Sequence, residues 1–148
     1  MAASEPVGDS PVDAVDAPAR VLVVDDDTAM RSALTDALTS LGCLVVGVAS
    51  DAPHGVFMAD QLAPEVVVMD LRMPGMSGPD ALRLIKAHRS RVQVVLLSAF
   101  QDEAFRRAAA DAGAAAYLVK GLDSSRLAEV VREASAVYRA LEGATLPG

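Results

Sequence analysis

VVVMD, Val66 to Asp70, runs straight into LRMPGMSG, Leu71 to Gly78. The apolar run has strand length but no apolar–polar alternation, which predicts a strand covered on both faces. A parallel sheet between two layers of helices provides that cover. The lone carboxylate at the end of the run is costly in such surroundings unless it has a partner or a task. Pro74, Gly75 and Gly78 then mark a shaped loop.

The same pattern recurs on either side. RVLVVD from Arg20, CLVVGVA from Cys43, VQVVLLSA from Val92 and AAAYLVK from Ala114 are further unbroken apolar runs. Helical stretches alternate with them. Met30, Ala33, Leu34, Ala37, Leu38 and Leu41 recur at helical spacing, with Gly42 at the capping position. Pro53 to Gln61 reads as a shorter helix, and Ser77 with Asp80 has capping-box spacing for one reaching about Arg89. Gln101 to Ala112 is alanine-rich and closed by Gly113, and Leu127 to Leu141 carries the last amphipathic face. Five strands alternating with five helices predict an α/β fold, a doubly wound parallel sheet with right-handed crossovers.

Composition narrows the class of protein. The chain has 148 residues with a net charge of −7, and aromatic residues make up only 3%, so Val, Leu, Ala, Ile and Met must build the core. Glu5, Asp9, Asp13 and Asp16 all precede the first basic residue, Arg20, so the remainder is only mildly acidic. That balance argues against binding DNA or an anionic membrane directly. Cys43, the single cysteine, has no partner for a disulfide within the chain and reads as a small core residue of the second strand. No secretory signal precedes the folded part, and the apolar runs are too short to span a bilayer, so a cytoplasmic location is expected. Residues 1–19, rich in Ala, Pro, Asp and Ser, read as a disordered leader, 20–141 as the folded domain, and 142–148 as a flexible tail.

Ligands of doubly wound sheets bind beyond the carboxyl ends of the strands. At those ends stand Asp25, Asp26 and Asp27 after the first strand, Asp70 after the third, Ser98 after the fourth and Lys120 after the fifth. Each has an ordinary alternative: Asp26 or Asp27 capping a helix, Ser98 satisfying a loop amide, Lys120 a solvated charge. Their convergence on one edge favours chemistry. Two carboxylates about 5 Å apart repel by roughly 3 kcal/mol at an effective dielectric near 20, and Lys120 offsets only part of three. A hard divalent cation such as Mg²⁺ suits the remainder. Carboxylate, metal, hydroxyl and lysine are also the parts that phosphoryl transfer requires.

VLVVDDD, VVVMDLRMPGMSG, VVLLSA and AAYLVKG together resemble the receiver domain of bacterial two-component response regulators, over about Arg20 to Leu141. The resemblance implies a (βα)₅ flavodoxin-like sheet of strand order 2-1-3-4-5. It makes Asp70 the phospho-acceptor and assigns Mg²⁺ to Asp26, Asp25, Asp70 and the backbone carbonyl of Arg72. Ser98 becomes the switch hydroxyl, Lys120 the lysine that pairs with acceptor and phosphoryl, and Tyr117 the aromatic switch. Arg72 and Phe100, two residues beyond Asp70 and Ser98, border the path of attacking water and are expected to tune dephosphorylation. The implied partners are a sensor histidine kinase or phosphotransfer protein, and a downstream protein or second copy on the face of the fourth helix, fifth strand and fifth helix. Such a domain is a signalling switch, acting catalytically only on its own aspartyl phosphate. It is expected either as a stand-alone regulator or as the receiver segment of a helix-turn-helix regulator.

One position departs from the family's habit. Receivers often carry proline after the lysine, through a cis bond; here Gly121 follows, and a trans Lys120–Gly121 bond is expected. Two other classes fit less well. An Asp-nucleophile phosphatase of the haloacid dehalogenase type wants Asp-x-Asp-x-Thr/Val, and Asp25-Asp26-Asp27-Thr28-Ala29 ends in alanine. A flavin-binding relative wants a Ser/Thr-rich phosphate loop after the first strand, and none is there.

Overall fold

The structure is a computed structural model and describes residues 17–121 and 123–144. Its strands are β1 (Arg20–Val24), β2 (Leu44–Ala49), β3 (Val66–Asp70), β4 (Gln93–Ser98) and β5 (Ala116–Val119). The helices between and after them are α1 (Thr28–Ser40), α2 (Ala52–Leu62), α3 (Gly78–His88), α4 (Glu103–Ala112) and α5 (Ser124–Ala144). All strand pairs are parallel, as the alternation predicts, and their order β2-β1-β3-β4-β5 is the one the family resemblance implies.

The apolar runs divide their side chains between two cores. Leu22, Val24, Val67, Met69, Val94 and Leu96 face one way and pack with Ala59, Leu82, Ile85 and Ala109 of α2, α3 and α4. Val21, Val23, Val66, Val68, Val95 and Leu97 face the other way and pack with Leu34 and Leu38 of α1 and Leu127, Val130 and Val131 of α5. Each side chain removed from water in this way contributes about 1.5–3 kcal/mol before entropy is counted. Every residue of β3 and β4 is buried, whereas β2 and β5, the sheet edges, stay partly open.

Helix starts follow short polar side chains. Asp27, Asp51, Ser77 and Asp102 each sit in extended backbone and accept from amides of the first turn. Asp102 therefore starts α4 at Glu103, two residues later than its alanine content alone predicts. Cys43 is buried one residue before β2 rather than within it, its N–H donating to Leu38 O at 2.9 Å in the turn that closes α1.

The boundaries of the folded part also move. Ala17 and Pro18, read from the sequence as leader, hold Arg139 of α5 through their carbonyls, each 3.1 Å from Nη2. Ala19 is buried, and its carbonyl accepts from Leu44 N. At the other terminus α5 runs on to Ala144, past the expected fraying point at Glu142. The remainder of the expected leader and tail, 1–16 and 145–148, lies outside the described residues.

What moves the first boundary is a buried ion pair at the amino ends of the strands. Glu65 Oε2 accepts from Arg139 Nε at 2.8 Å, and Oε1 accepts from Ser135 Oγ at 2.9 Å and from Arg20 N at 3.1 Å. Burial alone would raise the Glu65 pKa, but Arg139, the Arg20 amide and Ser135 outweigh it and hold the carboxyl below its usual range. The depressed pKa gives stability that is complete above the ordinary glutamate pKa and lost as pH falls through the lower, folded value. Glu65→Gln is expected to cost about 2 kcal/mol at pH 7. The gap from wild type should close on acidification, as read from urea midpoints across pH; a gap independent of pH would refute the charge as its source.

Candidate functional site

Asp25 lies one residue past β1, and its N–H extends the pairing with β2 by donating to Ala49 O at 3.1 Å. The next turn is held from both sides. Asp27 N donates to Asp25 Oδ1 at 2.9 Å, and Arg31 Nη1 on α1 donates to Asp25 O at 2.7 Å. Asp27 is spent as the cap of α1, which leaves Asp26 as the exposed carboxylate of the loop. So of the two capping candidates it is Asp27 that caps.

Asp70 closes β3, and the pairing with β4 continues past it through Leu71 N to Leu97 O at 2.7 Å. Arg72 N donates to Asp70 Oδ1 at 3.3 Å. The loop then folds back tightly: Gly78 N bonds Leu71 O at 2.8 Å, and a Cβ on Gly78 would meet the Leu71 backbone at 3.0 Å. Any larger residue there would have to push the Leu71 backbone aside by a few tenths of an ångström.

Lys120 follows β5, its N–H on Ser98 O at 2.6 Å. Its Nζ stands 3.2 Å from Asp25 Oδ2 and 3.2 Å from Asp70 Oδ2. Oxygens of Asp25, Asp26 and Asp70 come within 4.8 Å of one another. Three carboxylates thus meet one ammonium. Asp25 is fully buried, and its Oδ2 has the ammonium at ion-pair distance but no hydrogen bond, so a desolvated acceptor stays unmatched. Hard oxygen donors, surplus negative charge and an unmatched acceptor fit a small divalent cation.

The titration behaviour follows from these distances. Burial, reinforced by the charge of Asp25, raises the Asp70 pKa even though Lys120 and the Arg72 amide pull it down. Burial would lower Lys120, but the Asp70 and Asp25 carboxylates more than reverse this and raise it. Lys120 is therefore firmly cationic at neutral pH.

Ser98 is buried at the end of β4, and its hydroxyl donates to Phe100 O at 2.9 Å. Tyr117 Oη, from β5, donates to the same carbonyl at 3.1 Å. Arg72 is exposed, with its guanidinium carbon 4.5 Å from the centroid of the Phe105 ring on α4 and 5.7 Å from that of Phe100. All the residues singled out in sequence therefore gather at one edge of the sheet.

Against known proteins, the response regulator receiver domain matches residues 21–132. The chain belongs to that family. It is 35% identical over 114 residues to the response regulator GacA of Pseudomonas protegens, a match covering 76% of this chain and 54% of GacA. It is 35% identical over 116 residues to the chemotaxis protein CheY of Thermotoga maritima, covering 78% of this chain and 97% of CheY. Among solved structures, the CheX–CheY–BeF₃–Mg complex of Borrelia burgdorferi aligns with TM-score 0.74 at 28% identity, covering 78% of this chain and 88% of that one. The chain spans about half the length of GacA.

The receiver's departure after Lys120 has a structural reason. Gly121 has φ +88°, in the left-handed region, and no described peptide bond is cis, so Lys120–Gly121 is trans as expected. Proline, fixed near φ −65°, has no place in that turn. Two neighbours of the site escaped the sequence reading. Arg31 acts on a backbone carbonyl, which no side-chain spacing reveals, and Phe105 meets Arg72 from a helix more than thirty residues further along the chain.

A raised Asp70 pKa means that folding disfavours its ionised form. The penalty is present at pH values above the folded pKa and vanishes below the ordinary aspartate value. Asp70→Asn is therefore expected to raise the Tm of the metal-free receiver by a few degrees at pH 7, the scale of about 1 kcal/mol in a domain of this size. The gain should fade on acidification. An unchanged or lower Tm at pH 7, measured by calorimetry, would contradict the assignment.

Proposed function

We propose that this receiver accepts a phosphoryl group on Asp70 and signals through the resulting change of shape. The observation that carries the reading is a buried carboxylate at a strand end, 3.2 Å from Lys120 and crowded by Asp25 and Asp26. The donor is a phosphohistidine of a sensor histidine kinase or phosphotransfer protein. An Asp70 carboxylate oxygen attacks phosphorus, the phosphorus–nitrogen bond breaks, and its electron pair stays with the departing imidazole. Lys120 holds the acceptor in place and neutralises charge on the transferring group.

Asp26, Asp25, Asp70 and the carbonyl of Arg72 would hold Mg²⁺. Bound there, it supplies charge that offsets the surplus of carboxylates and stabilises the phosphoryl oxygens. The Mg-bound relative from Borrelia burgdorferi supports this choice of ion. In this reading Ser98 turns from Phe100 O towards a phosphoryl oxygen, and Tyr117 loses its co-donor when that happens. The face of α4, β5 and α5 then changes, and a downstream protein or a second copy reads it. The setting is the cytoplasm; among the described residues no helix is long and apolar enough to cross a membrane.

Incubation with Mg²⁺ and a small phosphodonor should add one base-labile phosphoryl group to the wild type and none to Asp70→Asn, by intact mass. Uptake by the variant would move the site elsewhere, and sustained turnover of phosphomonoesters would favour a phosphatase. Asp26→Ala should weaken Mg²⁺ binding at least tenfold in a titration, since it removes a direct ligand; equal affinity would refute that role. Arg72 and Phe100 crowd the approach to Asp70, so the phosphorylated state should be long-lived. Phe100→Ala or Arg72→Asn should shorten its half-life several-fold, and no change in either would defeat the idea.

A further inference from the structure

The guanidinium of Arg72 has no carboxylate at ion-pair distance among the described residues. Its contacts are instead two aromatic faces, Phe105 at 4.5 Å and Phe100 at 5.7 Å. Yet its own backbone N–H bonds Asp70 Oδ1 at 3.3 Å. A planar, permanently charged group thus stands beside the acceptor, occupied by exposed cation–π contacts that are weak and easily exchanged.

Charge supplies the reason to exchange them. A phosphoryl group turns Asp70 from one negative charge to about two. With Asp25 and Asp26, the site would then exceed Lys120 plus one divalent cation by a single negative charge. Arg31 is already committed to the Asp25 carbonyl and Thr28, while Arg83 is paired with Asp80. Among the described residues, Arg72 adjoins the site with no such ion pair or hydrogen bond from its guanidinium. Arginine's fork matches phosphoryl oxygens, and charge-assisted bonds of this kind are about twice as strong as neutral ones.

We propose that Arg72 is a phosphoryl-binding latch. In the unmodified protein its guanidinium lies on Phe105 and Phe100, pinning the first turn of α4 to the loop after β3. Once Asp70 carries a phosphoryl group, the guanidinium moves to the phosphoryl oxygens and releases Phe105. No covalent step is added: one electrostatic contact replaces another. The latch rests on the reading of Asp70 as acceptor, and it links that acceptor to α4 through the Phe105 ring, which neither Ser98 nor Tyr117 holds by a hydrogen bond.

The test uses the full chain with Mg²⁺ and beryllofluoride, an anion that imitates the phosphoryl group on a carboxylate. The Arg72 Nε–H signal, assigned by its absence in Arg72→Lys, should begin shifted upfield by the Phe105 ring. It should move downfield, with slowed exchange, when beryllofluoride binds. Phe105→Leu removes the competing face, so beryllofluoride should bind about two- to five-fold more tightly, the worth of an exposed cation–π contact. An Arg72 signal that stays put while bound fluorine resonances appear would overturn the latch alone. Equal or weaker binding by Phe105→Leu would overturn the competition on which it depends. If no bound fluorine signal appears in the wild type, both the latch and the reading of Asp70 fall.

Discussion

Lys120 reaches two carboxylates that belong to different strands, and the carboxyl edge of the sheet depends on that reach. Asp25 follows β1 and Asp70 ends β3, whereas Lys120 follows β5, with β4 lying between. The lysine stem must cross the end of β4, where the chain places Ser98, a small residue that leaves room. The ammonium then ties the open edge strand to the middle of the sheet. It does so without cancelling the charge, since Asp26 adds a third carboxylate within 4.8 Å. An edge held together yet left negative is stable enough to fold and unbalanced enough to attract cations.

The opposite edge shows the contrast. Glu65 is as buried as Asp70, but both of its oxygens are hydrogen-bonded, by Arg139, Ser135 and the Arg20 amide. Its pKa falls while that of Asp70 rises. Burial pushes both upward, so the difference lies in the donors around Glu65 and in the Asp25 charge beside Asp70. A fully satisfied polar cluster rigidifies its surroundings, whereas a partly satisfied one stores unfavourable energy that a ligand can release. The two ends of β3 carry these opposite arrangements, five residues apart in sequence.

This division explains what the sequence made legible. Strands buried on both faces leave unbroken apolar runs, so the sheet, its helices and the residues at its carboxyl edge could be read directly. The Glu65 cluster could not, because Ser135 and Arg139 lie some seventy residues away in the chain and carry no pattern of their own. The same blindness placed Ala17 to Ala19 in a leader. Asp102 was readable in principle, being a capping residue before a helix, but the alanine run beyond it masked the start. Side-chain direction at the site was also hidden. Nothing in VVLLSAF indicates that Ser98 bonds Phe100 O, or that Arg72 lies on aromatic rings.

That hidden geometry ties the loop after β4 to two strands. The Phe100 carbonyl accepts from both Ser98 and Tyr117, and its two lone pairs allow both donors at once. Ser98 is fixed to β4 and Tyr117 to β5, so one loop oxygen joins two strands that already pair with each other. If Ser98 leaves, the oxygen keeps a single donor on the half-buried edge strand, where solvent can compete for it. The loop then loses its inner anchor while its outer one weakens. Phe100 is also one of the two rings beneath Arg72, so the same short segment receives the guanidinium from one side and the hydroxyls from the other. Phe100 is thus held by three groups, Ser98 of β4, Tyr117 of β5 and Arg72 of the loop after β3, and a displacement of any one of them is felt by the other two.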